Sequence, residues 1–184
     1  MATSQDKIKE ALRDLLETFP YSEINITSVC AKAGLSRRTF TRHYASLEAV
    51  AKDQVRDDVV APAELLMSTM PLDVGADSGF LTYVAIYRTI LAHRSIYSRM
   101  AESLGSMWLV GQVMAAGSVL NDRAYLRNMI PEDQVDYAQH FFLAANAMTI
   151  KWWIEQDFAT TPEQLARLIM DWSYGHLESL PVKS

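Results

Sequence analysis

TSVCAKAGLSRRTFTRHY, residues 27 to 44, is the stretch whose reading decides the fold. It reads as two short helices meeting at Gly34, where a left-handed backbone is needed and glycine adopts one without a steric cost. Thr27 can cap the first helix, and Ser36 caps the second, Arg37 to His43, because a hydroxyl there takes an otherwise unpaired backbone N–H. Cys30 is the small residue where the helices cross, and Val29, Leu35 and Phe40 pin the pair. That is the pattern of a helix-turn-helix. The face left for solvent is Arg37, Arg38, Thr39, Thr41 and Arg42. Arginine grips guanine edges or phosphates with two prongs, and threonine contacts a phosphate or a thymine methyl. Thr27 and Ser28 add hydroxyls and backbone N–H groups at a helix N-terminus, where a phosphate is favoured. His43 and Tyr44 close the stretch. Tyr44 reads equally as packing beneath the turn and as lending its hydroxyl to a phosphate.

Charge sharpens this reading. From residue 25 to residue 45 there are four Lys or Arg and no Asp or Glu, in a chain of net charge −5. Residues 1 to 56 hold nine basic and seven acidic side chains, net +2; residues 57 to 184 hold eight and fifteen, net −7. An acidic body repels DNA, so contact with DNA is expected in the first part alone.

Helical spacing of apolar residues runs through the rest of the chain, and no alternating Val/Ile/Thr-rich run suggests a strand. A first helix spans about 5 to 18, with Ile8, Leu12, Leu15, Leu16 and Phe19 on one stripe, and Pro20 ends it. Ser46 caps a fourth helix that runs on toward Pro62. Residues 70 to 79 read as a loop. Further helices are expected near 78 to 93, 95 to 103, 106 to 127, 131 to 157 and 162 to 174. Thr161, Pro162 and Gln164 mark the last start as a capping box with proline at the first helical position. Leu165, Leu168, Ile169 and Trp172 then share a face. Val135, Ala138, Phe142, Ala145, Thr149 and Trp152 follow another stripe, widened by Phe141, Ala144 and Met148. Two chains pairing through these last two helices would bury such breadth.

Residues 8 to 50 resemble the N-terminal DNA-binding domain of the TetR family of bacterial transcriptional regulators. The resemblance rests on Phe19, Thr27, Ala33 to Ser36, Thr39-Phe40 and His43-Tyr44, and Trp152-Trp153 followed by Thr161 to Leu165 is similar to that family's final helix pair. It implies an all-α homodimer: a helix-turn-helix domain, residues 1–46, and a helical dimerisation and ligand-binding domain, residues 47–184. The partners implied are double-stranded DNA bearing a palindromic operator, and an effector. Three positions depart from the family pattern. Cys30 replaces the usual alanine; Leu47 replaces the lysine that commonly touches a phosphate, with Lys52 nearby; Thr41 stands where a phosphate-contacting tyrosine is usual.

For an effector, Tyr83, Tyr87, Trp108, Met114, Phe142 and Asn146 could line a pocket, since aromatic and methionine side chains give adaptable apolar walls with polar tips. Ordinary core or interface packing is the other reading of each. The function expected is a sequence-specific regulator, a repressor released by that effector; the alternative is a regulator whose C-terminal domain binds a partner protein. An enzyme is not expected. No Ser/His/Asp set, phosphate loop or paired-carboxylate pocket stands out, and the four His and one Cys have no metal-ligand spacing, so neither cofactor nor metal is expected. The single cysteine suits a reducing cytoplasm. The longest apolar-rich stretch, 107 to 120, is too short to span a membrane, which takes about 20 residues.

Overall fold

The computed structural model describes residues 2–62, 65, 76–112 and 131–173. The elements are α1 (Ser4–Leu16), a 3-10 turn (Tyr21–Glu23), α2 (Ile26–Ala33), α3 (Arg37–His43), α4 (Leu47–Val55), α5 (Ala76–Ala92) and α6 (Arg94–Leu104). Then come α7, helical from 106 and described to 112, α8 (Glu132–Glu155) and α9 (Pro162–Ser173). No strand occurs among the described residues, so the expected all-α class holds. Met114, and most of the helix expected over 106 to 127, lie outside the described residues.

Local chemistry explains the starts. The Thr3 hydroxyl accepts from the Asp6 N–H at 3.1 Å while the Asp6 carboxylate accepts from the Thr3 N–H at 2.8 Å, a capping box. α2 corrects the sequence reading: its cap is Asn25, not Thr27. The Asn25 side chain accepts from the Ser28 N–H at 3.0 Å and the Asn25 N–H donates to the Ser28 hydroxyl at 3.1 Å. Asparagine caps as well as threonine does, and starting the helix there lets Ile26 pack against the core. α1 stops at Leu16, earlier than expected. The N–H groups of Thr18 and Phe19 both turn back to the Leu15 carbonyl, and Phe19, expected in the stripe, is left 44% exposed. The Thr161–Gln164 box forms as read, with both bonds at 3.2 Å.

Two apolar clusters make the core. The first joins Ile8, Leu12, Leu16, Val29, Phe40 and Val50 to Ile96 and Met100 of α6. The second gathers Val55, Val59, Tyr87, Ile90, Trp153 and Leu165. α4 therefore runs from one cluster into the other, Val50 and Ala51 in the first, Val55 and Val59 in the second. Its continuation, Arg56–Val60, is a π turn, an extra residue in the helix that re-aims the chain beyond it. Between the two sets lies Gln54, 1% exposed, with neither amide atom hydrogen-bonded. An unpaired buried amide costs about 1–3 kcal/mol. Gln54→Met, of similar length and apolar, should therefore raise the stability of the free protein by on the order of 1 kcal/mol in urea denaturation; a loss of stability would mean that the amide has a partner.

The terminal helices correct two stripes. On α9, Leu165, Ala166, Ile169 and Met170 are buried, whereas Leu168 and Trp172 face outward, Trp172 at 75% exposure. On α8, Val135 is buried within the chain along with Ala147, Ile150 and Trp153. The exposed apolar residues are Tyr137, Phe141, Met148 and Trp152, and their spacing returns each to one side of the helix. Apolar periodicity gives the faces of a helix; neighbouring helices decide which face is covered.

Candidate nucleic-acid interface

α3 is held from both ends and from behind. Gly34 sits at φ 65°, the left-handed region, and lets the Leu35 N–H bond the Cys30 carbonyl at 3.0 Å. Ser36 then caps α3 by accepting from the Thr39 N–H at 3.0 Å. Phe40 is fully buried beneath the helix, its ring tilted against Tyr44 with centroids 6.1 Å apart. With that side fixed, Arg37, Arg38, Thr41 and Arg42 are exposed, and Thr39 and His43 are half-buried at the edges. The Thr39 hydroxyl lies 2.9 Å from that of Ser36, the Thr41 hydroxyl donates to the Arg38 carbonyl at 3.2 Å, and an Arg42 guanidinium nitrogen lies 3.5 Å from His43 Nε2.

Four neighbouring cations are held by acids, and among the described residues the three arginines of α3 are not. Lys9 pairs with Asp57 and, at 3.5 Å, with Asp53. Arg13 pairs with Asp58 at 2.7 Å, Lys32 with Asp14 at 3.0 Å, and Lys52 with Glu48 at 3.1 Å. Arg37, Arg38 and Arg42 pair with no acid among the described residues. The Arg37 and Arg38 guanidinium groups thus keep their donor forks free for an outside acceptor, and Arg42, in contact with His43, carries a third charge on the same short helix. Thr27 is exposed in the first turn of α2, beside the half-buried Ser28, whose hydroxyl also donates to the Asn25 carbonyl at 2.7 Å.

Tyr44 is 6% exposed, and its hydroxyl donates to Asp53 at 2.6 Å. Burial first, then the Asp53 bond, push its ionisation well above the ordinary phenol range. Its place is under the turn, tying α3 to α4. Leu47 likewise turns inward onto the first cluster, and Lys52 is held by Glu48. Glu48 also accepts from the Trp108 indole N–H at 2.9 Å; that bond, and then Lys52, hold its carboxyl below the usual range. The Arg13–Asp58 and Glu48–Trp108 links span 45 and 60 positions, and sequence reading missed them.

The candidate effector residues divide. Tyr83 and Tyr87 stack with centroids 6.1 Å apart; the Tyr87 hydroxyl donates to Asn146 at 2.8 Å, and the Asn146 amide donates to the Tyr83 hydroxyl at 2.9 Å. Trp108 packs against the second cluster, which holds Tyr87, and gives its indole N–H to Glu48 rather than to this group. The Phe142 side chain lies outside the described part. A surface groove of about 670 Å3 lies elsewhere, lined by Phe80, Thr160, Glu163, Gln164, Arg167 and Leu168. Among the described residues no cluster of His, Cys, Asp and Glu is arranged to hold a metal, and no helix is long and apolar enough to cross a membrane.

Comparison with known proteins places this geometry. Residues 82–175, half of the chain, match the family described as the C-terminal region of TetR-type transcriptional regulators. The chain belongs to the TetR family of transcriptional regulators. Solved structures share the TetR-family fold along its length. A TetR-family regulator from Syntrophomonas wolfei superposes with a TM-score of 0.67 at 17% identity, over 98% of each chain. A TetR regulator from Streptococcus agalactiae gives 0.56 at 22% identity, over 92% of this chain and 93% of that one. The activator of a dihydroxyacetone kinase operon, DhaS, gives 0.66 at 13% identity, over 97% and 98%. A search of curated proteins by sequence found no match. As a TetR-family chain, the protein is a DNA-binding transcriptional regulator and not an enzyme.

Proposed function

We propose that the protein acts in the cytoplasm as a homodimeric repressor that reads a palindromic operator and is released by a small-molecule effector. In this reading residues 1–46 form the reading domain and 47–184 the dimerisation and effector domain. One observation carries it: Arg37, Arg38 and Arg42 share the exposed side of a helix whose other side is sealed by Phe40, with no acid among the described residues pairing them. α3 enters the major groove. Arg37, Arg38 and Arg42 meet bases and phosphates; Thr27, Ser28, Thr39, Thr41 and His43 contribute to the flanking backbone; Tyr44 contributes as the support that holds α3 on α4.

The exposed stripe of Tyr137, Phe141, Met148 and Trp152 on α8, with Leu168 and Trp172 on α9, supports pairing of two chains, because so much aromatic surface is costly to leave in water. Tyr83, Tyr87 and Asn146 are the effector residues we retain, since they combine ring surface with an amide and two hydroxyls. A ligand that spreads them would move α5 against the π turn and shift α4. The sign is assigned as repression; DhaS, which shares the fold, is named an activator. Sedimentation of the protein with a palindromic duplex that it selects tests the arrangement. Two chains per duplex are expected, and one chain per duplex overturns it.

A further inference from the structure

Trp108 stands at the joint between the two halves of the core. Its ring packs against the first cluster and the second alike. Its indole N–H reaches Glu48 in the first turn of α4, directly behind the Ser46 cap that comes after α3. Two residues before it, the Ser106 hydroxyl donates to Glu155 at 3.2 Å, and Glu155 is the last residue of α8. Gly105, at φ 88°, ends α6 in a backbone region that favours glycine, and the Trp108 N–H bonds the Gly105 carbonyl at 3.0 Å. One short segment therefore ties the end of α8 to the start of α4. α8 carries the exposed aromatic stripe, and α4 carries the reading helix through Tyr44 and Asp53.

We propose that Trp108 is a positioning residue for DNA reading: by holding Glu48 it fixes the tilt of α3 and α4 against α8, and so sets the half-site spacing that a dimer accepts. The inference rests on the dimeric reading above. It assigns Glu48 to the joint, with Lys52 as its charge partner, and gives both a role that needs no phosphate. A dimer with stiff joints reads half-sites at one separation, because each added base pair both rotates and displaces the second groove. A dimer with loose joints accepts several.

The test uses the full-length protein and the palindrome that it selects from a random DNA pool, together with the same duplex carrying one base pair more or fewer between the half-sites. Wild type should prefer its own spacing by about tenfold or more, a difference on the scale of one hydrogen bond to a charged group. Trp108→Phe keeps the ring and removes the donor. It should bind all three duplexes within about threefold of one another, with affinity for an isolated half-site unchanged. Glu48→Gln keeps an acceptor and should retain the wild-type preference; Glu48→Ala should lose it. A Trp108→Phe protein with the full spacing preference overturns the proposal, and so does one whose melting temperature alone has fallen. A wild-type protein without spacing preference overturns the proposal but not the dimeric reading, which fails only if sedimentation finds one chain per duplex.

Discussion

The double replacement Arg37→Ala, Arg38→Ala should leave a folded protein that no longer recognises its operator. Both side chains are exposed and form no ion pair among the described residues, so their removal breaks no contact that the fold depends on. Each base-reading arginine contributes about 1–3 kcal/mol, so two acting independently should weaken operator binding by about 30-fold to about 25,000-fold. A residue that met only phosphate would lower affinity for all sequences alike and reduce the salt dependence of binding. Titrations of matched and scrambled duplexes at two salt concentrations separate the two roles. Unchanged operator affinity at both concentrations would remove this pair from the reading surface. The melting temperature should stay within a few degrees of wild type, since surface changes away from caps and pairs are usually within about 0.5 kcal/mol.

The second large effect is expected far from DNA. Trp153 is fully buried, its ring edge-on to Tyr87 at 5.7 Å and to Phe158 at 5.0 Å, and its indole N–H donates to the Thr160 carbonyl at 2.7 Å. It also steadies a turn that strains the backbone. Asp157 and Phe158 sit at φ 48° and 57°, a region that residues with a β-carbon avoid, and the Phe158 N–H is held by the Trp153 carbonyl at 2.9 Å. Trp153→Ala should cost about 3–5 kcal/mol and lower the melting temperature by on the order of 10 °C. Because α9 comes directly after that turn, dimer formation should weaken as well. A variant that melts within about 2 °C of wild type, a far smaller drop than a lost core tryptophan produces, would show that this core is not packed as described.

The sequence made some of this legible and hid the rest, for physical reasons. Gly34, Ser36 and the arginine run mark the start, the end and the outer side of α3, because turn dihedrals, caps and helical period are local properties. The Thr161–Gln164 box was readable on the same grounds. The cap of α2 was misread because Asn25 and Thr27 are both competent, and only the packing of Ile26 decides between them. Phe19 was misplaced because the chain turns earlier than the proline implies. The π turn has no composition of its own. Leu168 and Trp172 share a period with Leu165 and Ile169, and which pair is buried depends on α5 lying against α9. The joint between Glu48 and Trp108 spans 60 positions, and no pattern in a single sequence joins residues that far apart.

The central claim is that α3 reads DNA, twice, in a symmetric complex. Selection of bound duplexes from a random pool by the wild-type protein, and then the same selection with the Arg37→Ala, Arg38→Ala protein, tests it most directly. A palindrome whose half-sites the wild type enriches, and which the double variant fails to enrich, is the predicted result. A motif recovered unchanged by the double variant, or no motif recovered by wild type, would contradict it.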